Sequence, residues 1–342
     1  MKRGVLVCLG EARTKNIGDY MQSLAAAQFA GAEAVFIERE KLDAYDGAPV
    51  KLVMNGWFMH DQAHFPPSHA ISPLFVSFHL CPALRDSFFT PETIAYLKRH
   101  APIGCRDRET VEAMTRHGIP AEFTSCLTLT LGRTYRHNPS RDARPLFVDP
   151  FFPHPLKGEP PRRIRRFLSV LPWSICHFRV VRALFSRFRV FRLPCNGRRW
   201  IRWMHAAEFH RAYAPFFGDD TLLSAAYISH DVRRADFPTD AAMLSAADAL
   251  MRRYEKAAYV VTSRLHCALP CVAAGVPVWM VSDAKIEKGR FGGNAELVNV
   301  LTFGADGRLP RVGGHVPPPN DAFRPLADRL AERVQAFMED EA

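Results

Sequence analysis

Arg264 and His266 are the residues whose types and spacing point most directly to chemistry. They lie two positions apart in the stretch Thr262–His266, directly after an apolar, β-branched run. A guanidinium can bind a phosphate or a carboxylate through two parallel hydrogen bonds, and an imidazole can hold an anion or transfer a proton near neutral pH. The pair predicts a site for a small anion, and Ser263 is expected to cap the helix that follows. The alternatives are a structural ion pair for Arg264 and a core position for His266.

A second candidate pair, Arg106 and Asp107, follows the apolar residues Ile103–Cys105. In one interpretation, Arg106 faces a cleft and binds a substrate. In the other, Arg106 pairs with Glu109 or Glu112. In both, Asp107 is expected to cap the next helix, because a carboxylate at that position accepts from the first free N–H groups.

Asn16, Gly18 and Asp19 lie in the predicted loop after the first strand, Gly4–Leu9. Gly18 would allow the backbone to approach a ligand closely, since it has no Cβ. Asp19 is a candidate base toward a sugar hydroxyl, or else the cap of the helix that follows. Asn16 is a candidate for binding sugar hydroxyls.

Further candidates follow other predicted strands. His230 is expected either to transfer a proton or to contact the ligand, or else to be a structural histidine. Lys285 lies in a cationic group after the apolar residues Val278–Val281 and would bind phosphate or simply be solvated. Trp57 is expected to stack on a sugar or to belong to the core.

Several classes of site are not indicated. No group of residues has metal-ligand spacing, and Asp219 and Asp220 are adjacent rather than separated as in a D-x-D pair. The dinucleotide, nucleophile-elbow and phosphate-loop patterns are missing from the sequence as well. We therefore predict no metal and no cofactor.

Short apolar runs alternate with helical patterns along most of the 342 residues, which predicts an α/β fold with parallel sheets. Ligands bind such sheets at the carboxyl ends of the strands, where the candidate residues lie. A polar stretch divides the chain into a predicted domain at 1–140 and another at 145–318, followed by a C-terminal helix at 320–342. The predicted strands include Leu74–Phe78 and Thr221–Ser229.

Twelve arginines and no acid lie between Pro161 and His205, which more than accounts for the formal net charge of +10. Basic charge confined to one segment is not typical of a nucleic-acid-binding domain. Phe178, Phe185 and Phe188 have helical spacing, which predicts a basic amphipathic helix. It would either contact an anionic membrane surface or pack on its domain with its charges in water.

Four stretches together resemble the polysaccharide pyruvyl transferase family: Asn16–Gln22, Pro102–Asp107, Thr262–His266 and Gly275–Val278. The resemblance implies a GT-B-like fold, in which two Rossmann-like domains with parallel sheets face a central cleft. It further implies transfer of pyruvate from phosphoenolpyruvate to two hydroxyls of a sugar, giving a cyclic ketal. Residues 1–140 would then form the acceptor side and residues 145–318 the donor side.

Two other functions remain open at this point. One is a glycosyltransferase that uses a nucleotide sugar, and the other is a non-catalytic carbohydrate- or phosphate-binding protein. The expected partners are phosphoenolpyruvate and a sugar or lipid-linked oligosaccharide, but no nucleic acid. Eight cysteines without a C-x-x-C pair favour a cytoplasmic setting, with peripheral contact at the inner membrane face as one interpretation.

Overall fold

The structure is a computed structural model of the chain. It describes residues 1–8, 16–152, 160–191, 193, 196–282, 292–311 and 316–340. The predicted contact at Lys285 lies outside these residues.

The N-terminal half contains two four-stranded parallel sheets. The first has the order β2-β1-β3-β5 and the second the order β4-β6-β7-β8. The strands of the first sheet are β1 (Lys2–Val7), β2 (Val35–Glu38), β3 (Val50–Val53) and β5 (Ile71–Leu74). Those of the second are β4 (Gly56–Phe58), β6 (Phe78–Leu80), β7 (Ile103–Cys105) and β8 (Ala121–Phe123).

These two sheets are continuous with one another through a bend. Met54 N donates to Leu74 O at 2.8 Å and Gly56 N donates to Ser77 O at 3.2 Å, which links the strands across the break. Ser77 has a φ of 56°, so the chain turns sharply between β5 and β6. The predicted single strand Leu74–Phe78 is therefore wrong, because it spans this turn.

The C-terminal half has one five-stranded parallel sheet with the order β10-β9-β11-β12-β13. The predicted strand Thr221–Ser229 is too long, since its first residues end a helix and only Ala226–Ile228 are extended. The parallel sheets and the helices around them confirm the expected GT-B-like, Rossmann-type arrangement. The strands are β9 (Leu146–Val148), β10 (Ala226–Ile228), β11 (Val260–Thr262), β12 (Val278–Ser282) and β13 (Asn299–Thr302).

The helices begin where the sequence supplies caps. Thr90 and Thr239 accept hydrogen bonds from Thr93 N and Ala242 N, as threonine caps do. The helices of the N-terminal half are α1 (Ile17–Ala30), α2 (Pro91–Arg99) and α3 (Arg108–Arg116). Those that follow are α4 (Pro160–Cys176), α5 (Phe178–Arg187), α6 (Arg199–Ser224), α7 (Asp240–Glu255), α8 (Leu265–Ala273) and α9 (Arg324–Glu339).

The two halves share one hydrophobic core. That core includes Tyr20 and Met21 of α1 together with Cys267 and Leu269 of α8, all fully buried. The Tyr20 hydroxyl also donates to the carboxylate of Asp240 in α7. The two halves therefore pack on one another through this core. The predicted domain bounds, 1–140 and 145–318, stay a prediction.

Gly132 is a close contact in this shared region, because an added Cβ would lie 2.1 Å from Ala273 O of α8. We expect Gly132→Ala to lower the free energy of unfolding by about 2 kcal/mol, since backbone must move to relieve the overlap. Urea denaturation measures this. Gly197→Ala is the matched control, because a Cβ there meets nothing within 4 Å. Equal stability of the two variants would contradict the packing described for this interface.

Candidate active site

A cavity of about 390 Å³ lies between the two halves, at the carboxyl ends of their parallel strands. Most of its lining residues have polar side chains, among them two arginines and three histidines. The first half contributes Asn16, Trp57, His79, Arg106, Asp107 and Glu109, and the second contributes His230, Arg264, Leu265, His266 and Asn294. Five predicted site residues line it, namely Asn16, Arg106, His230, Arg264 and His266.

Arg264 directly precedes α8 as its N-cap and is held by two carboxylates. Its Nε donates to Asp149 Oδ2 at 3.0 Å, and its Nη2 lies 3.5 Å from Asp231 Oδ1. Both acids follow neighbouring strands of the same sheet, so their proximity is not visible in the local sequence. The side chain still exposes 30% of its surface. Arg264 thus has the structural ion pairs that one interpretation predicted, and it also lies in the cavity wall.

Arg106 has a different environment, since it is 8% exposed and forms no ion pair among the described residues. Its Nη1 donates to Gln22 Oε1 at 3.1 Å and to His266 Nε2 at 3.2 Å. The predicted pairing with Glu109 or Glu112 is wrong, because those acids bind Arg85 and Arg116. Burial lowers the pKa of the Arg106 guanidinium. A buried cation without a carboxylate is costly, so this position favours binding of an anion.

His266 lies in the first turn of α8, fully inside the cationic part of the cavity. Burial lowers its pKa well below 6.5, and the charges of Arg106, His230, His79 and Arg264 lower it further. Nε2 accepts from Arg106, so that nitrogen carries no proton in the empty site. His266 is neutral here, and a bound anion would favour its protonation.

His79 is the site residue that the sequence reasoning missed. It lies in β6, and its Nδ1 donates to the carboxylate of Asp107. That bond fixes the tautomer and leaves Nε2 as the nitrogen available at the cavity. Burial lowers the pKa of His79, and the Arg106 charge lowers it further, while Asp107 opposes both. The sequence signal that could have found His79 is its place in the run Phe75–Leu80. The predicted strand Leu74–Phe78 ends one residue before it.

Asp107 is also the cap of α3, as predicted. Its Oδ1 accepts from Thr110 N at 2.8 Å and from Thr110 Oγ1 at 2.9 Å, while the other oxygen accepts from His79. These donors, together with the Arg106 charge, hold the pKa of the carboxyl below its usual value. One carboxylate therefore fixes both a helix start and a cavity histidine.

The start of α1 packs directly on two cavity histidines. Gly18 and Asp19 lie in the first turn of α1, so the predicted loop at these residues is wrong. Asn16 caps the helix by accepting from Gly18 N at 3.0 Å, which also makes the predicted capping by Asp19 wrong. A Cβ on Gly18 would lie 3.2 Å from His230 Nδ1 and 3.2 Å from His266 Cβ. Glycine thus allows this helix to approach the opposite half.

His230 is fully buried behind this contact. Its Nε2 lies 2.7 Å from the Tyr254 hydroxyl, and its N donates to Asp149 Oδ2 at 2.9 Å. Its Nδ1 is buried and has no hydrogen-bond partner within the described part of the chain. This nitrogen lies on the side of the ring that faces Gly18 of α1.

Ser263 does not cap α8, which corrects the expectation for that residue. Its Oγ donates to Asp149 O at 2.8 Å, and the N-cap of α8 is Arg264. α8 begins at Leu265 and continues through Pro270. Neither Ser263 nor Asp19 is among the described residues that line the cavity.

A group with metal-ligand atoms lies elsewhere: His177, between α4 and α5, and His210 and Asp219 of α6. His210 Nδ1 accepts from Trp173 Nε1 at 3.0 Å, and His210 Nε2 lies 2.7 Å from Asp219 Oδ1. Both ring nitrogens are therefore used in hydrogen bonds. The geometry is that of a buried histidine fixed by an indole and a carboxylate.

The fold and the cavity together define a GT-B-like α/β protein with a cleft lined by arginines and histidines between its two halves. The sequence model of the polysaccharide pyruvyl transferase family matches residues 16–284. The chain belongs to the polysaccharide pyruvyl transferase family, as the four sequence stretches indicated. Neither the curated proteins nor the solved structures contain a match to it.

The two arginines should respond oppositely to removal of their charge. Arg106→Met removes a buried, unpaired cation, so we expect the ligand-free protein to be as stable or about 1 kcal/mol more stable. Arg264→Met leaves Asp149 and Asp231 without their cation, so we expect a loss of about 1 to 2 kcal/mol, a value reduced for its partial exposure. Urea denaturation without ligand measures both. A larger loss for Arg106→Met than for Arg264→Met would show that Arg106 is a structural residue.

Proposed function

We propose that the protein transfers the pyruvyl group of phosphoenolpyruvate to two hydroxyls of a sugar, forming a cyclic ketal. The acceptor would be a sugar or lipid-linked oligosaccharide of an exopolysaccharide, capsule or cell-wall precursor. Family membership supports a transferase that acts on polysaccharide. The observation that carries the donor assignment is the buried Arg106 guanidinium, which has no carboxylate partner among the described residues.

Phosphoenolpyruvate carries its phosphate and its carboxylate on the same carbon atom, so it needs two cationic groups close together. Arg106 and Arg264 both line the cavity and come from different halves of the protein. In this proposal the donor joins the halves, with one anionic group on each arginine. Lys285, which lies outside the described residues, remains a candidate for a further phosphate contact.

The reaction needs one proton donor and one proton acceptor. A proton adds to the methylene carbon of the donor, and the adjacent carbon becomes an oxocarbenium-like centre that a sugar hydroxyl attacks. The carbon–oxygen bond to phosphate then breaks, phosphate leaves with the electron pair, and the second hydroxyl closes the ketal. The two hydroxyl protons balance the proton spent on the methylene and the one carried by inorganic phosphate. No metal or cofactor enters this scheme.

We assign His266 as the proton donor to the methylene carbon. In the empty cavity burial and the surrounding cations hold its pKa low. The negative charge of a bound donor opposes the same cations, so the histidine gains its proton when the donor is present. Arg106 would then turn from His266 to the donor.

We assign His79 as the base that receives a hydroxyl proton, with Asp107 as its positioning residue. The Asp107 bond to Nδ1 leaves Nε2 unprotonated at the cavity, which is the form a base requires. Asn16 and Gly18 would lie on the acceptor side, with Ser263 supporting the donor side. Asp19 and His230 remain candidates for a second proton transfer.

We place the reaction in the cytoplasm. The described cysteines are free, including the buried neighbours Cys267 and Cys271 of α8, which accords with a reducing setting. Contact with an anionic membrane at the inner face is a separate proposal and is argued below.

Donor binding can be measured by thermal shift with phosphoenolpyruvate, inorganic phosphate and nucleotide sugars. We expect phosphoenolpyruvate to stabilise the wild-type protein and both Arg106→Met and Arg264→Ala to weaken its binding by about tenfold to a hundredfold. Arg253→Ala, an exposed arginine of α7, is the control and should bind normally. Stabilisation by nucleotide sugars alone would instead indicate a glycosyltransferase. No response to any of these ligands would favour a non-catalytic protein.

The assignment of His79 predicts a particular pH profile. In Asp107→Asn the asparagine can still cap α3. The substitution removes the charge that opposes the low pKa of His79, and it no longer fixes the tautomer of that histidine. We expect Asp107→Asn to lower kcat by about a hundredfold or more and to move the acidic limb of kcat/KM to lower pH. The assay measures phosphate release with a sugar acceptor. An unshifted acidic limb, with only a lower rate, would contradict this role for the pair.

A further inference from the structure

The exposed face of α4 carries a stripe of apolar side chains. Ile164, Leu168 and Ile175 follow each other at helical spacing and expose 54%, 57% and 75% of their surface. Phe178 at the start of α5 exposes 52%. Scattered exposed apolar residues are ordinary, but five of the eight large ones among the described residues lie between 164 and 190.

The other faces of these helices are already used for packing. Val170 of α4 and Val181 and Leu184 of α5 are buried in one hydrophobic cluster with α6. Phe188 is fully buried, and Phe185 packs on Trp203 beneath the guanidinium of Arg202. The predicted apolar face Phe178, Phe185 and Phe188 is therefore mostly internal, and the free apolar face belongs to α4.

Positive charge surrounds the apolar stripe. Arg165, Arg179, Arg182 and Arg189 are exposed, and none has a carboxylate partner within the described ranges. Some exposed arginines elsewhere do have such partners, for example Arg233 with Asp236 and Arg324 with Asp321, whereas Arg253 and Arg329 are exposed without an apolar stripe beside them. The combination of an apolar stripe and unpaired arginines is local to these two helices.

We propose that the α4–α5 surface binds an anionic lipid membrane, with the apolar stripe in the headgroup region and the arginines on lipid phosphates. Amphipathic basic helices bind such surfaces through buried apolar area and charge attraction. Nucleic acid would match the arginines but would leave the apolar stripe in water. Among the described residues no single helix is long and apolar enough to cross a membrane, and α4 and α5 meet the composition only as a pair bent by 118°. We place this surface on the membrane rather than across it, because the opposite faces of both helices are buried in one cluster with α6.

This proposal is independent of the reaction, because lipid binding needs neither donor nor sugar. If both hold, the membrane would bring the protein to an acceptor that carries a lipid. If the transferase assignment failed, the vesicle experiment would be unaffected, so the two failures can be told apart.

The test is sedimentation of the full chain with vesicles of phosphatidylcholine alone or with about 30% phosphatidylglycerol, an anionic fraction chosen to give a strong surface potential. We expect binding only to the anionic vesicles, and release at about 0.5 M salt, where charges are screened within a few ångströms. Leu168→Ser/Ile175→Ser should weaken binding about tenfold. Arg179→Ala/Arg182→Ala should weaken it about thirtyfold.

Matched controls distinguish binding through the α4–α5 surface from nonspecific binding through other parts of the protein. Phe36→Ser/Val316→Ser removes two other exposed apolar side chains, and Arg253→Ala/Arg329→Ala removes two other exposed arginines. Both controls should bind as the wild type does, with circular dichroism confirming that every variant is folded. The proposal would be overturned by equal binding to neutral vesicles, by resistance to high salt and alkaline carbonate, or by equal losses in the control variants. Binding of a DNA duplex in competition with the vesicles, unaffected by Leu168→Ser/Ile175→Ser, would also overturn it.

Discussion

The guanidinium of Arg106 is buried where the two halves of the protein meet, bonded to Gln22 of α1 and to His266 of α8. No carboxylate forms an ion pair with it within the described structure, although the charges of Asp107 and Asp19 act on it from nearby. The carboxylate oxygens of Asp107 accept hydrogen bonds from Thr110 and His79, and Glu109 forms an ion pair with Arg85. The folded protein therefore holds a desolvated positive charge at the base of its cleft. The side chains of Gln22 and His266 are placed so that they accept hydrogen bonds from this buried charge.

The elements around Arg106 come from both halves and approach one another very closely. Gly18 allows α1 to lie against His230 and His266. Gly292 has a φ of 48°, and a Cβ there would lie 2.3 Å from Asp107 Cβ, so only glycine fits this crossing. Asn294 Nδ2 then donates to Arg106 O at 3.0 Å. The cavity is thus shaped by backbone contacts that leave little room for change, which favours a preorganised site.

The sequence predicted the parts of the site that local patterns control. Arg106, His230, Arg264 and His266 were found because each follows an apolar run that becomes a strand, and parallel strands bring their carboxyl ends together. The partners of these residues were not found, because they come from other strands. Asp149 reaches Arg264 across 115 residues, and His79 reaches Asp107 from β6, a strand that begins only after the bend at Ser77. Periodicity cannot show such a bend, since it depends on one residue with a positive φ. The same limit applies to the arginine-rich helices, where spacing alone could not show that Trp203 and α6 already cover Phe185 and Phe188.

The contrast between the two arginines has a consequence for the order of events in the proposed reaction. Arg264 forms ion pairs with Asp149 and Asp231 within the protein itself. Arg106 bonds to uncharged partners, so its ionic partner in the proposed reaction would be the ligand. Burial and the field of the surrounding cations, Arg106 among them, keep His266 neutral, because both lower its pKa. An anionic donor cancels part of that field, so donor binding and protonation of His266 favour each other by linkage. In the proposed reaction, His266 would therefore gain its proton when the anionic donor binds, and the charge of Arg106 would contribute to that coupling.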